Sequence, residues 1–453
     1  MAVKINRRDF LRRSVAATSL AMAAPLYVPA SVFGARAPSN RITLGCIGMG
    51  NQGFQDIRGF MQLNDLQVLA VCDVNKGCLG YKDRRQYRGR EPGKKLVDDF
   101  YADKQTGGTY KGTAAYHDFR DILARDDIDA VLIVTPDHWH AIMTIMAAQA
   151  GKDIYCEKPL TLTIAEGRAM AQAVRRQGVV LQTGSHERSN AKARFVCELA
   201  RNGYLGRIER VLTDVGPMND YLQRSAPKGA WQPSPIPDGF DYETWLGPAP
   251  WAPYHRDRCF YSFRFLLDYS GGQTTNYGAH SNDLAQWGLG MDDSGPIEVE
   301  DRGSQFPKDG LFDAPSVVHF GARYANNVEL ICKTSLHQGV GVRFIGTEGS
   351  AHWGYGGFGA EPKSLLTVKP STQGIRLYRS SNHYRNFIDC VKTRAEPAVP
   401  IEVGHRSATV CHLGNIAMRL KRKLKWNPNR EQFIDDDQAN RMLKKPFRAP
   451  WSL

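Results

Sequence analysis

The segment "GKDIYCEKPLTLT" (residues 151–163) sets Lys158 directly ahead of Pro159 at the end of a short apolar run. Lysine is among the residues least often buried, and proline ends a strand. A cation placed there is suited to stabilising an oxyanion that develops as a hydroxyl loses its proton. Upstream, "RITLGCIGMGNQG" (41–53) carries Gly48, Gly50 and Gly53 in G-x-G-x-x-G spacing, with Asn51 inside the loop. A β-type run precedes the glycines and a helix is expected after them, through Phe60. A second apolar run, "LQVLAVCDV" (66–74), closes on Asp73, twenty residues past Gly53. Strand, glycines, helix, strand and acid in that order form a dinucleotide fingerprint. The glycines allow a tight turn and close approach to a pyrophosphate at a helix N-terminus, and the acid accepts from ribose hydroxyls. A carboxylate at Asp73 repels a 2′-phosphate, which favours NAD over NADP, while Lys76 and the basic stretch 82–95 pull the other way.

These groups need a scaffold, and the first half of the chain alternates strand and helix patterns. "IDAVLIVTP" (128–136) reads as a buried strand, "DHWHAIMTIMAAQAG" as a helix stopped by Gly151, and "KDIYCEKP" as a short strand. "TIAEGRAMAQAVRRQG" is a helix stopped at Gly178, and "VVLQTG" is a last strand. Alternation of this kind predicts a doubly wound parallel sheet over 38–183, with ligands beyond the carboxyl ends of its strands. Thr135, Pro136, His138, Glu157, Lys158 and Pro159 fall on that edge. His138 and His140 have the H-x-H spacing of a metal pair, but on a helix their rings point apart. They fit helix-cap and nicotinamide-side packing better, and no metal site is expected.

From residue 184 the pattern changes to one helix followed by β-type runs such as "RIERVLTDV", "VELICKTSL" and "VGVRFIGTEGSAHW". The expectation for 184–453 is an α+β domain. The stretch 217–262 is rich in proline and aromatics, including Trp231 and Trp251. Indole faces suit the C–H face of a sugar, but the stretch equally suits an arm that packs on a neighbouring subunit or on itself. His186, Arg188 and Arg264 are candidates for contacts to substrate hydroxyls. "HYRNFIDCVKTR" and "GHRSATVCHLGNIAMRLKRK" read as closing helices.

With 453 residues, 42% hydrophobic and 23% charged, the chain is long enough for two buried cores. Its formal charge of +13 is not gathered on one stripe: the densest basic runs, 82–95 and 419–426, are far apart, so nucleic-acid binding is not expected. "NRRDFLRRS" (6–14), with Arg7, Arg8, Phe10 and Leu11, precedes an alanine-rich run interrupted by Pro25 and Pro29. This resembles a twin-arginine signal over 1–37, with "ARA" (35–37) as the processing site, and predicts export to the periplasm or beyond. Nine cysteines are spread singly without a C-x-x-C pair, which suits folding in a reducing compartment before export. No stretch is apolar enough to make a stable membrane span.

The glycine fingerprint, "TPDHWHA", "GKDIYCEKPL" and "GGQTTNYGAHSNDLAQWGLG" together resemble the Gfo/Idh/MocA oxidoreductase family, from about residue 41 to at least 425. The resemblance implies a Rossmann domain followed by an α+β domain whose large, mostly antiparallel sheet makes oligomer contacts. It implies hydride transfer between NAD and a sugar, polyol or glycoside hydroxyl carbon. Lys158 matches the E-K-P lysine, which bonds the substrate hydroxyl near the nicotinamide. His280 matches the histidine of the D-x-x-x-H pattern, the usual acid/base. The family's aspartate four positions earlier is Asn276 here, an amide that can bond or orient but cannot supply charge. Asp283 is a candidate to replace it in part. Two other expectations stay open: an NAD-dependent glycosidase-like enzyme that oxidises, eliminates and re-reduces, and a non-catalytic sugar-binding relative.

Overall fold

The computed structural model describes residues 40–82, 85–104, 108–217, 231–335, 341–354, 357–369 and 373–453. The arginine pair and the apolar run behind it lie outside the described residues, as does 218–230 of the aromatic stretch. Six parallel strands build the first sheet in the order β5-β2-β1-β6-β7-β8. They are β1 (Ile42–Ile47), β2 (Leu66–Cys72), β5 (Ala114–Tyr116), β6 (Ala130–Ile133), β7 (Asp153–Cys156) and β8 (Leu181–Thr183), while β3 (Cys78–Leu79) and β4 (Tyr87–Arg88) form a small separate hairpin. Helices α1 (Asn51–Met61), α2 (Arg90–Ala102), α3 (Phe119–Leu123), α4 (Asp137–Gln149) and α5 (Ile164–Gln177) supply the crossovers. β6 and β7 are buried along their whole length, as expected for parallel strands covered on both faces.

Local chemistry sets the helix ends. α5 starts at Thr163, whose hydroxyl accepts from the Glu166 N–H while Glu166 accepts from the Leu162 N–H, a capping box. It ends at Gly178, whose φ of 64° is the left-handed conformation that closes helices. α1 is different, because it begins after Gly50 with no side-chain cap. β7 stops at Cys156, where the Glu157 N–H donates to Ile133 and the Lys158–Pro159 peptide is cis.

The second sheet has nine strands in the order β15-β14-β13-β9-β12-β11-β10-β16-β17. They are β9 (Ile208–Asp214), β10 (Glu298–Asp301), β11 (His319–Arg323), β12 (Glu329–Lys333), β13 (Gly341–Gly346), β14 (Ser350–Gly354), β15 (Gly357–Glu361), β16 (Leu424–Asn427) and β17 (Gln432–Phe433). All neighbours are antiparallel except β9 with β12. Helices α6 (Ala191–Arg201), α7 (Tyr242–Leu246), α8 (Gln273–Asn276), α9 (Gly278–Leu289), α10 (His383–Thr393), α11 (Ile401–Leu420) and α12 (Asp437–Arg441) complete the fold. α6, α9 and α11 cover one face of this sheet, and Leu330, Cys332, Val342 and Phe344 point into that core.

The two sheets are not separate modules. α10 comes from the second half of the chain, yet Phe387 and Ile388 are buried with Phe60 and Tyr155 of the first. Ile401 and Ala408 of α11 likewise join the core under β6 and β7. Residues 42–453 accordingly form one compact unit.

Candidate active site

The uncapped start of α1 and the carboxyl ends of β1, β2, β6 and β7 face one long cleft. Its glycines are there because side chains would not fit. Gly48 has φ +94°, and a Cβ on it would lie 2.4 Å from the Val134 carbonyl oxygen. A Cβ on Gly53 would lie 2.0 Å from the carbonyl oxygen of Gly48. This turn lets the backbone approach a ligand closely and leaves the helix start to an anion. The residues present therefore fit a dinucleotide.

One half of the cleft is lined by Asp73, Thr135 and Pro136 on the sheet side. Asp73 closes β2 as read from sequence. Its two oxygens accept from the Met49 N–H (2.7 Å) and the Asn75 N–H (2.8 Å), which ties the glycine turn to the strand and leaves lone pairs toward the cavity. Burial pushes its carboxyl up to about 6, against the pull of those N–H groups, Arg90 and His117.

The opposite wall comes from a part of the chain that sequence periodicity could not place. Phe240, Thr244, Trp245 and Phe260 roof this half, together with Tyr81, which directly precedes the basic stretch 82–95. Hydrogen bonds run from Lys76 N–H to Gly239 (2.8 Å), from Asp241 N–H to Val74 (3.2 Å), and from Arg256 to the carbonyls of Leu79 (2.9 Å) and Gly80 (2.6 Å). Tyr81 meets Phe260 edge-on at 5.5 Å. The aromatic stretch thus packs on itself and over the nucleotide cleft. Trp231 lies against Arg258, 4.9 Å from ring to guanidinium, and Trp251 is 64% exposed, so neither borders the cleft.

The other half of the cleft holds Gly50, Asn51, Glu157, Lys158, Arg264 and Asn276 together. Lys158 Nζ donates to the main-chain oxygen of Asn276 (2.9 Å) and to its Oδ1 (3.2 Å), and the Asn276 amide donates to Gln273 Oε1 (2.9 Å). Burial holds the Lys158 ammonium below its ordinary pKa, opposed by Glu157 and reinforced by Arg264. Asn276 and His280 do not share one helix: α8 ends at Asn276, Tyr277 makes the joint, and His280 sits in the first turn of α9. Burial drives His280 well below the usual histidine range, and the nearby Lys158 and His186 add to this. Its ring is therefore neutral, and its buried Nδ1 has no hydrogen-bond partner among the described residues.

Other candidates are placed elsewhere. Asp283 cannot stand in for the missing aspartate: it is fully buried and accepts from Arg188 (2.8 Å) and Ser407 (2.5 Å). Arg188, only 2% exposed, is spent on Asp283 and Asp292 and does not reach the cleft. His138 Nε2 faces the Trp245 carbonyl (3.0 Å), and burial lowers its pKa to about 4. Both nitrogens of His140 face carbonyls, Pro159 (2.7 Å) and Thr135 (2.9 Å). Carbonyls only accept, so this ring carries both protons and braces the strand ends behind Lys158. The two histidines shape the cleft from behind.

His186 turns away from Lys158 to Tyr155 Oη (2.9 Å), Glu157 Oε1 (3.3 Å) and Asp56 Oδ1 (3.8 Å). Asp56, Glu157 and His186 bring ligand-type atoms within 4.8 Å of one another, a convergence the sequence reading missed. Burial and the nearby Glu157 push the Asp56 carboxyl up to about 7. The readable signal was an acid on the buried stripe of α1, among Gly53, Phe54, Ile57 and Phe60.

Known proteins share this fold. Residues 93–185 match the model of the oxidoreductase family NAD-binding Rossmann fold, and residues 190–453 match that of the oxidoreductase family C-terminal alpha/beta domain. A glycosyl hydrolase family 109 protein of Shewanella baltica is 32% identical over 177 residues, 36% of this chain and 35% of the relative. An alpha-N-acetylgalactosaminidase of Shewanella oneidensis is 30% identical over 176 residues, with the same coverage. The chain thus spans about a third of the length of these relatives. Among solved structures, the WlbA dehydrogenase of Bordetella pertussis with NADH and UDP-GlcNAcA superposes with a TM-score of 0.60 at 18% identity, covering 85% of this chain and 99% of that one. A levoglucosan dehydrogenase with NADH and levoglucosan gives 0.58 at 18%, with the same coverage. At these identities the structures speak to fold alone, but the C-terminal family match takes in more than half of the sequence. The chain belongs to the Gfo/Idh/MocA oxidoreductase family.

Proposed function

We propose that the protein is an NAD-dependent oxidoreductase that moves hydride between a nicotinamide cofactor and a hydroxyl carbon of a sugar, polyol or glycoside. The observation that carries this reading is Lys158, held by Asn276 in the cleft that the glycine turn opens into. Bound NAD supplies the hydride acceptor. Gly48, Gly50, Asn51 and Gly53 would hold its pyrophosphate, Asp73 its ribose hydroxyls, and Thr135 and Pro136 would border its rings. Lys158 steadies the hydroxyl oxygen as charge develops on it, and neutral His280 is the proton acceptor. Asp73 favours NAD, because a buried carboxylate repels a 2′-phosphate. The solved neighbours with NADH agree with that preference.

A second reading has its own support: the curated relatives include glycosyl hydrolase family 109 proteins and an alpha-N-acetylgalactosaminidase. In that reading the sugar is oxidised transiently, loses its aglycone and is re-reduced. Mass spectrometry of the purified protein, followed by product analysis on aryl glycosides, separates the two. Net NADH with intact aglycone supports the dehydrogenase, whereas phenol release without net NADH supports the glycosidase. A preparation that neither carries nor takes up a nicotinamide cofactor contradicts both and leaves sugar binding alone.

We also propose twin-arginine export to the periplasm, supported by Arg7, Arg8, Phe10 and Leu11 and by nine cysteines that are all free. No described helix is long and apolar enough to cross a membrane. Self-association is proposed through the face of the second sheet opposite the helices. Leu212, Ile331 and Ile345 are half-buried there, on strands that pair through β9. Fractionation of an Arg7→Lys/Arg8→Lys variant and light scattering test these two statements.

A further inference from the structure

Arg264 is a cation on the cleft wall with no direct ion pair among the described residues, although Asp137 lines the same cleft. Its main chain is pinned by the Gly272 N–H (2.8 Å). Its Nη1 donates to the Tyr261 carbonyl (3.0 Å), and its guanidinium carbon lies 4.7 Å from the ring centroids of both Tyr261 and Phe263. These contacts aim the guanidinium without neutralising it. The acids nearby are engaged: Asp137 accepts from the Ser270 hydroxyl, and Glu157 accepts from His186 (3.3 Å) and from the Lys158 N–H (3.2 Å). Lys158 itself is held only by the neutral groups of Asn276. Asp137 and Glu157 line the same cleft and offset part of its positive charge, but neither makes an ion pair with the guanidinium. A ligand anion can therefore pair with Arg264 directly, and the planar guanidinium fork is matched to a carboxylate better than to a hydroxyl.

We infer that the substrate is an acidic sugar, a uronic acid or its glycoside, whose carboxylate seats on Arg264 while a ring hydroxyl meets Lys158. This subsite rests on the oxidoreductase reading, and the two are tested separately by measuring binding and turnover in parallel. The probes are matched neutral and acidic twins, methyl glucoside with methyl glucuronide and methyl galactoside with methyl galacturonide. Each is titrated calorimetrically into the NAD-loaded protein and assayed for reduction of the bound cofactor.

In at least one pair the acid should bind at least tenfold tighter than its twin. Arg264→Gln should bring that ratio close to one, and Arg264→Lys should restore only part of it. Equal or tighter binding of the neutral twins in both pairs overturns the proposal, as does an acid preference that survives Arg264→Gln. A variant that loses NAD instead of the preference places the guanidinium on the cofactor pyrophosphate, which also overturns it. If acids bind as expected and neither twin reduces the cofactor, the subsite stands and the oxidoreductase reading fails.

Discussion

Lys158 and Asn276 meet directly, and burial sets how the ammonium titrates. Burial lowers its pKa and Arg264 adds to this, while Glu157, Asp137 and Asp56 oppose it in part and Asn276 offers only two neutral oxygens. In the proposed reaction the protonated form steadies the oxyanion, so activity should decline as pH rises through that lowered pKa. Asn276→Asp puts a carboxylate about where Oδ1 now lies, 3.2 Å from Nζ. The alkaline limb of kcat against pH should move up by about 1–3 units, and an unmoved limb would show that Lys158 does not set it. In the same proposal His280 would act on the other side of the profile. Because its pKa is lowered, its neutral, proton-accepting form persists below the usual histidine range. Arg188 illustrates a different use of charge. Arg188→Ala leaves Asp283 buried with Ser407 alone, and breaking a buried pair in this way costs about 3–5 kcal/mol. The urea midpoint should fall with an unchanged slope. A stable variant with weakened sugar binding would instead put Arg188 back among the substrate contacts.

At the scale of elements, what was legible in the sequence was whatever depends on neighbours along the chain. The glycine turn, β2 closing on Asp73, and Lys158 at the end of β7 follow from local periodicity and steric need. The Asp283–Arg188 pair spans 95 residues, and nothing in either neighbourhood announces it. The roof was hidden for the same reason. Asn75 bridges to Phe240, and Tyr81 meets Phe260, only after the chain has returned from the second half. Aromatics in 231–262 advertise a packed surface without saying what it packs on, and a sugar pocket was one of the readings they allowed. Their position on the wall of the cleft predicts a kinetic role in the proposed cofactor binding, with Tyr81 and Phe260 slowing release. Phe260→Ala should speed NAD release at least tenfold, about 1.4 kcal/mol of barrier, in a stopped-flow chase with excess unlabelled cofactor. An unchanged off-rate would reduce the roof to a structural cover.

At the scale of the whole molecule, the sequence suggested a nucleotide domain ending near residue 183 with a second domain behind it. The sheets divide there, but the cores do not. Phe387 and Ile388 of α10 pack with Phe60 and Tyr155, and α11 covers α5, so the last quarter of the chain finishes the first domain. A fragment of residues 42–183 exposes that apolar surface and should be insoluble or molten, with no NAD uptake. The same fragment supplied with 377–420 on a flexible linker should regain cooperative unfolding by circular dichroism. A free 42–183 fragment that melts cooperatively and binds NAD would show that the closing helices are dispensable.

The central claim is that Lys158 serves hydride transfer at the edge of the parallel sheet. It is tested most directly by single-turnover reduction of bound NAD in Lys158→Ala, using the sugar that the intact protein turns over fastest. The predicted result is a loss of at least a hundredfold in the rate at 340 nm, about 2.7 kcal/mol of barrier, with cofactor affinity unchanged. Reduction that persists within about tenfold of the parent rate, about 1.4 kcal/mol, would contradict it.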